Sequence, residues 1–395
     1  MARSRRRWND WAYRRIGLAE VGRVVVIGVF LALAAGGCGG REQPDAGPGG
    51  DDASAPPPGL HGEWKTDFSK RSVSLDEFMS GGPGKDGIPA VDNPRFVAVE
   101  DADFLADREP VIELVVGGEA RAYPIQILIW HEIVNDVVAD VPVAVTFCPL
   151  CNTAIAFDRR VDEQTVDFGT TGNLRNSDLV MYDRQTESWW QQFGGEALVG
   201  ELTGASLEQL PSRIVAWADF RREHAGGRVL SRETGFSRPY GENPYVGYDS
   251  VDSSPIFPTK NADDERLPPK ERVVFIERGD EAVVVPFSTL REKKVVRVEV
   301  GGSKLLVRWR PGVASSLDDA EIATGRDEGT AEVRESGRLV SFDLPFWFAV
   351  AAFRPDARIV GEEEAARSSS SPSSGQLAPS GQKSWPRRGY LAPNA

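Results

Sequence analysis

Two cysteines and one histidine are the residues of this chain best suited to chemistry. Cys148 and Cys151 are separated only by a proline and a leucine, and His131 lies upstream of them. The flanking residues alternate and are rich in β-branched side chains, which predicts strands at 143–147 and 154–157 with a tight turn between them. Since the chain has only three cysteines and three histidines, a disulfide-rich scaffold and two separate His-rich metal sites are both excluded.

A strand-turn-strand Cys-Pro-x-Cys segment resembles the metal-binding knuckle of rubredoxins and zinc ribbons, in which two thiolates converge on one metal ion. Asn152 can adopt the left-handed conformation that follows the second cysteine there. Because no second knuckle exists, other residues must supply further ligands, and His131 is the natural candidate. Glu132 and Asp136 could then accept a hydrogen bond from its other ring nitrogen. The expected cofactor is a transition metal, namely zinc, copper or iron.

The cysteine pair also permits thiol redox chemistry or a purely structural role. In a redox version, the more exposed cysteine attacks, the other resolves, and His131 lowers the thiol pKa. In an oxidising compartment, the same pair could instead form a Cys148–Cys151 disulfide that only pins a turn. Two small core residues are a third interpretation. The sequence leaves these alternatives open.

A polar segment downstream supplies candidates for acid–base catalysis or substrate anchoring. Asp178 begins a predicted strand over 179–182 that ends at Asp183 and Arg184, and Glu187 follows. These four side chains could serve as acid, base or anchor if they border the thiols. The alternative is a hydrogen-bonded hairpin network that holds a long loop.

Two adjacent tryptophans, Trp189 and Trp190, place aromatic rings on both faces of a predicted strand. One face suits core packing, and the other could form a platform for a ligand. A second function follows from this: a non-catalytic ligand-binding or adhesion domain with a structural disulfide. Recognition would then use the two tryptophans and the tyrosine-containing loop 240–248.

An internal similarity organises the central part of the chain. Residues 105–128 align without gaps on residues 267–290, with eight of 24 positions identical at a constant offset of 162. A second similarity relates residues 217–230 to residues 347–360 at an offset of 130. We therefore expect two related copies, at 105–230 and 267–360, within one compact domain of residues 60–363. The second copy lacks every cysteine and histidine, so the extra residues of the first copy are available for a site.

The expected fold is α+β and mostly antiparallel, because short alternating segments separated by Gly and Pro turns dominate the pattern. The helices are few and are predicted near 74–79, 125–135, 217–224 and 346–352. A closed, barrel-like sheet is compatible with the pattern, which does not determine the strand order.

The first 59 residues predict export and attachment to a membrane. Seven arginines precede a short apolar run, and Cys38 follows small residues, which is typical of a bacterial lipoprotein signal over 1–37. Residues 38–59 would form a flexible tether from a lipid on Cys38, and 364–395 a disordered tail. The protein would then be a cell-membrane lipoprotein facing the periplasm or the cell exterior. A net charge of −13 argues against nucleic acid as a partner, and the sequence identifies no substrate or protein partner.

Several sequence blocks together resemble the bacterial and archaeal family of domain of unknown function 3179. The blocks lie at residues 131–136 (HEIVND), 145–151 (VTFCPLC), 168–172 (FGTTG), 176–184 (NSDLVMYDR) and 186–191 (TESWWQ). The likeness extends over about residues 93–360. It implies domain boundaries and draws attention to the cysteine site, but it implies no reaction.

Overall fold

The structure is a computed structural model that describes residues 63–361. The predicted export signal (1–37), the tether (38–59) with Cys38, and the predicted tail (364–395) lie outside the described residues. No helix among residues 63–361 combines the length and apolar character needed to cross a membrane.

Short strands make up most of the first half of the described chain. They are β1 (Phe78–Ser80), β2 (Phe96–Ala98), β3 (Pro110–Val116), β4 (Glu119–Pro124), β5 (Ile133–Val138), β6 (Val141–Cys148), β7 (Thr153–Asp158), β8 (Arg160–Val161), β9 (Gln164–Thr165), β10 (Phe168–Arg175), β11 (Asp178–Asp183), β12 (Trp189–Gln191), β13 (Ala197–Val199), β14 (Gln209–Leu210), β15 (Ser212–Ala216) and β16 (Arg228–Leu230).

The second half has fewer strands, and the described helices are all short. The strands are β17 (Val273–Arg278), β18 (Glu281–Pro286), β19 (Val295–Val300), β20 (Ser303–Arg310), β21 (Thr330–Glu335), β22 (Arg338–Leu339) and β23 (Arg358–Ile359). The α-helices are α1 (Ile125–His131), α2 (Trp217–Glu223), α3 (Phe287–Lys293) and α4 (Trp347–Phe353). Single 3₁₀ turns lie at Leu75–Glu77, Val99–Asp101 and Ile322–Thr324.

Five sheets are arranged in a ring, like the blades of a five-bladed propeller. Their strand orders are β1-β10-β11-β12-β13, β14-β7-β6-β5, β15-β3-β4-β16-β2, β17-β18-β23 and β19-β20-β21-β22, and β8 and β9 form a separate ribbon. The prediction of a mostly antiparallel fold with few helices is confirmed, and the ring is compatible with a barrel-like arrangement. The pairings β4–β16 and β18–β23 are parallel.

Equivalent elements recur at the two offsets found in the sequence. At the offset of 162, the bounds of β4, α1, β5 and β6 coincide with those of β18, α3, β19 and β20. At the offset of 130, α2 coincides with α4. Both α1 and α3 follow a proline in extended conformation, Pro124 or Pro286, whose fixed φ and missing N–H suit a helix start.

The helix predicted over 125–135 is too long. It ends at His131, because Glu132 has φ 60° and its N–H bonds back to the carbonyl of Leu128. The β-branched residues that follow then enter β5. Lys294 ends α3 in the same way, with φ 60° and an N–H bonded to the carbonyl of Leu290.

The largest buried apolar cluster contains members of both halves, including Phe147, Trp190, Phe275 and Trp347. Two smaller clusters lie beside it, around Trp217 and around Trp189. Contacts between the halves include an N–H of Phe346 that donates to the carbonyl of Cys151, 2.9 Å away. The cysteine turn is therefore packed against the second half.

Gly172 is required at a bulge in β10. It has φ 74°, and a Cβ there would overlap the backbone carbonyl of Pro83. Gly118 has φ 89°, but a Cβ at that position would meet only open space. We expect Gly118→Ala to lower the free energy of unfolding by about 1 kcal/mol, and Gly172→Ala by about 3 kcal/mol or more, because overlap adds to the left-handed strain. Urea unfolding measures both, and equal losses would contradict the close approach at Gly172.

Candidate functional site

The cysteine turn connects β6 and β7, as predicted. Cys148, the last residue of β6, pairs with Thr153, the first residue of β7. Asn152 closes the turn with φ 60°, and its side-chain amide donates to the carbonyl of Leu344 at 2.7 Å. Cys148 is 1% exposed and Cys151 is fully buried, and both are free thiols.

Asp178, the first residue of β11, brings a carboxylate to the thiols. Its Oδ1 accepts a hydrogen bond from Cys151 Sγ at 2.8 Å. Its Oδ2 accepts from the backbone N–H of Phe193 at 2.9 Å and from the side-chain amide of Gln191. These donors hold Oδ1 toward the sulfur. The Sγ atoms of Cys148 and Cys151 and one oxygen of Asp178 all lie within 4.8 Å of one another.

A chain of polar side chains fixes the hydroxyl beside Cys151. Thr153 Oγ1 lies 3.0 Å from Cys151 Sγ and donates to Gln192 Oε1 at 2.5 Å. Gln192 Nε2 donates to Thr146 Oγ1, which in turn donates to the carbonyl of Ile155. Because Thr153 donates its only hydroxyl proton to Gln192, its oxygen has a lone pair and no proton on the side that faces the Cys151 sulfur.

Four buried acidic groups share this region. Burial raises the pKa of Asp178 above its ordinary range, although hydrogen bonds oppose the shift. Burial and the charge of Asp178 raise the pKa of Glu132 to about 8. Burial also raises the pKa of Cys148 and raises that of Cys151 further. Neither Asp178 nor Glu132 pairs with a lysine or arginine among residues 63–361, so the site has excess negative character once its protons leave.

His131 does not join the thiols, contrary to expectation. Its Nδ1 lies 2.7 Å from the carbonyl of Pro89, and its Nε2 lies 2.6 Å from the Tyr240 hydroxyl. Because a carbonyl only accepts, Nδ1 carries the proton and Nε2 accepts from Tyr240. Burial lowers the pKa of His131 to about 4, so the ring is neutral at pH 7. His131 thus holds a loop, and Asp178 occupies the place expected for a third ligand.

The predicted partners of His131 have other contacts. The second ring nitrogen bonds to Pro89 and not to Glu132 or Asp136. Asp136 instead accepts from Arg121 at 2.5 Å and from the Tyr123 hydroxyl at 2.6 Å. Glu132 is 7% exposed, and its charge contributes to the raised pKa of Cys148.

The loop of residues 240–248 covers the cysteine turn. Tyr240 is anchored to His131, and the Tyr248 hydroxyl donates to the carbonyl of Leu150 at 2.9 Å. Between these anchors, the half-buried Tyr245 has a pKa raised by burial and by the charges of Glu132 and Cys148. The loop therefore separates the thiols from solvent.

The other acid–base candidates bond to groups other than the thiols. Asp183 accepts from Thr186 and from the indole N–H of Trp190. Arg184 pairs with Asp92, and Glu187 pairs with Lys85 at 2.9 Å. Of the four candidates, only Asp178 contacts the cysteine pair within the described residues.

The prediction that the two tryptophans form a ligand platform is wrong. Trp189 and Trp190 are both fully buried. Trp189 packs edge to face against Trp64, Phe68 and Phe78, and Trp190 packs against Phe168. Both faces of this strand are covered, so no ligand can stack on either ring in this conformation.

Several site residues were missed at the sequence level. Thr153 contacts the Cys151 thiol, Gln191 contacts Asp178, and Gln192 accepts a hydrogen bond from Thr153. Asp343 accepts a hydrogen bond from the N–H of Ala154 at 3.0 Å. Burial and the charge of Asp178 raise the pKa of Asp343 to about 7. The two adjacent glutamines after the tryptophans were a usable signal, since two consecutive amides in an apolar strand need buried partners. No comparable sequence feature pointed to Asp343.

The neutral state of His131 predicts a pH-dependent loss of stability. Its pKa is about 4 in the folded chain and about 6.5 in the unfolded chain. At pH values between these two, only the unfolded chain binds the proton. Protonation therefore stabilises the unfolded state, and the free energy of unfolding decreases as pH falls. From pH 7 to pH 5, wild type should lose about 2 kcal/mol of unfolding free energy relative to His131→Gln. Urea unfolding of both proteins at the two pH values measures this, and a pH-independent difference would contradict a neutral, buried His131.

Comparison with known proteins identifies one family. The model of the family described as protein of unknown function (DUF3179) matches residues 85–357, a span that contains the cysteine turn, Asp178, the covering loop and most of the second half. No curated protein and no solved structure matches the chain.

Proposed function

The chain belongs to the DUF3179 family, and we propose that its domain binds one transition metal ion through Cys148, Cys151 and Asp178. The observation that carries this proposal is the convergence of two sulfur atoms and one carboxylate oxygen within 4.8 Å, in a buried site. Three proton-bearing acids are costly to bury together. A divalent cation would replace their three protons and compensate two of the three negative charges that result, which supports a metal site.

The donor set favours zinc. Two thiolates and one carboxylate suit a borderline-soft, tetrahedral ion, whereas magnesium and calcium prefer oxygen ligands alone. These three residues supply three ligand atoms, which leaves one tetrahedral position for a further ligand. A water molecule or a substrate atom in that position would make the site catalytic instead of structural. Copper(I) and iron(II) are the remaining candidates.

Thiol redox chemistry is supported less well. Exchange requires a thiolate that a partner can reach, and both thiols are buried with raised pKa values. His131 cannot lower these pKa values as expected, because it is neutral and bonded to Pro89 and Tyr240. The adhesion alternative is also less well supported, because both tryptophans of its ligand platform are buried.

The location of the domain remains a proposal from the sequence. The arginine-rich start, the short apolar run and Cys38 support an exported lipoprotein anchored by a lipid on Cys38. The metal site would then face the periplasm or the cell exterior. There, oxidation threatens free thiols, and a bound metal together with a covering loop would protect the pair.

We further propose that the two halves, 105–230 and 267–360, arose by duplication within a single domain of residues 60–363. The coincident element bounds support this. In the second half, Lys294 and Arg310 occupy the positions of Glu132 and Cys148. The first half would have gained the metal ligands on a shared frame, and the second half would pack against the cysteine turn.

Metal content and affinity test the proposal. The full-length protein, purified under reducing conditions and loaded with zinc, should retain about one zinc ion per chain by elemental analysis. Cys148→Ser and Asp178→Asn each remove a ligand and should weaken zinc binding more than about 100-fold in competition with a chromophoric chelator. The exposed Asp252→Asn is the matched control and should bind zinc like wild type.

Two results would contradict the metal site. One is a wild-type protein that retains no metal and has no titratable thiol, which would instead favour the Cys148–Cys151 disulfide. The other is unchanged zinc affinity in the folded Asp178→Asn variant, which would show that the carboxylate is not a ligand.

A further inference from the structure

A cavity lies beside the cysteine turn. It has a volume of about 440 Å³, and its lining includes Lys270, Arg272, Arg291 and Arg326. Phe346, which also lines it, donates its N–H to the carbonyl of Cys151 at 2.9 Å. A cavity of this size can enclose most of a small organic molecule.

Arg272 is a buried cation without a carboxylate partner. It is 7% exposed, its Nη2 donates to Asn152 Oδ1 at 3.1 Å, and its Nε has no hydrogen-bond partner. No ion pair joins it to an acidic residue within the described part of the chain. Burial of a guanidinium group in this state costs free energy, because the group loses its hydrating water and no anion offsets that loss.

Lys270, on the same cavity wall, is in a similar state. It is 3% exposed, and its Nζ donates to the carbonyl of Tyr248 and to Ser253 Oγ. Its ammonium lies 3.4 Å from the centre of the Tyr248 ring. Burial lowers its pKa to about 8, although the charge of Asp249 opposes the shift. Lys270 thus has neutral hydrogen-bond partners and no direct carboxylate.

The other two cations of the cavity are already neutralised. Arg326 pairs with Asp249 at 2.7 Å and with Asp318 at 2.9 Å, and Arg291 pairs with Glu328. These pairs account for three of the four carboxylates in the lining. The fourth, Glu271, accepts from the N–H of Ser288 at 2.7 Å. The lining thus holds four cations and four carboxylates, and the two cations without a carboxylate contact within the described residues are Lys270 and Arg272.

We propose that this cavity binds a small organic molecule carrying one carboxylate or phosphate group, with Arg272 and Lys270 as the contacts to that group. A guanidinium and an ammonium are the two side chains that bind such oxyanions most strongly. The paired carboxylates oppose a second negative charge on the ligand, so the lining favours a molecule with a single anionic group. This site goes beyond the metal site and does not depend on it, although Asn152 connects Arg272 to the cysteine turn.

Thermal unfolding of the full-length protein tests this cavity. Sodium phosphate and sodium acetate are titrated separately at constant ionic strength, with sodium chloride as the balancing salt. An anion that binds the folded state raises the unfolding midpoint in a saturable way. Saturation with phosphate alone identifies a phosphate site, with acetate alone a carboxylate site, and with both a general oxyanion site.

Variants of Arg272 and Lys270 test whether these two cations cause the rise in the unfolding midpoint. Arg272→Gln and Lys270→Gln should each weaken the apparent affinity at least about tenfold, the loss expected for one charge-assisted hydrogen bond. Arg338→Gln removes an exposed arginine outside the lining and should match wild type. If Arg272→Gln fails to fold because it loses Asn152, then Lys270→Gln carries the test. Absence of saturation with both anions, or unchanged affinity in the folded variants, would overturn the proposal.

Discussion

The contact between the Cys151 thiol and the Asp178 carboxylate is the interaction on which the organisation of this site depends. It joins a turn of one sheet to the first residue of a strand in another, and it forces two acids together in a buried position. Hydrogen bonds from Gln191 and Phe193 hold the carboxylate in this orientation. Two donors thus direct the other carboxylate oxygen at the sulfur, an arrangement that supports the proposal of a cation site.

The rest of the ring supports this contact from two sides. On one side, His131 accepts a hydrogen bond from Tyr240 and so fixes the loop that covers the thiols. On the other side, the second half contributes Phe346 and Arg272, which contact the backbone and the amide of the turn. The second half therefore encloses the site of the first half. Arg272 also lines the proposed anion-binding cavity, which therefore lies next to the cysteine turn.

Local pattern made the strands, the cysteine turn and the left-handed Asn152 predictable, because these depend on neighbouring residues. His131 was misplaced because its two ring nitrogens bond to Pro89 and Tyr240, which lie 42 and 109 residues away in sequence. Trp189 and Trp190 are buried on opposite faces of their strand, and Asp178 approaches a thiol 27 residues away in sequence. Both features depend on how the sheets pack against one another. Alternation within one strand contains no such information.

X-ray absorption spectroscopy at the zinc edge tests the central claim most directly. The full-length, zinc-loaded protein should give two sulfur neighbours at about 2.3 Å and oxygen neighbours at about 2.0–2.2 Å. Asp178→Asn should leave the sulfur distances in any bound zinc and change the oxygen shell. A spectrum without sulfur neighbours, with oxygen or nitrogen ligands alone, would contradict a metal centre at Cys148, Cys151 and Asp178.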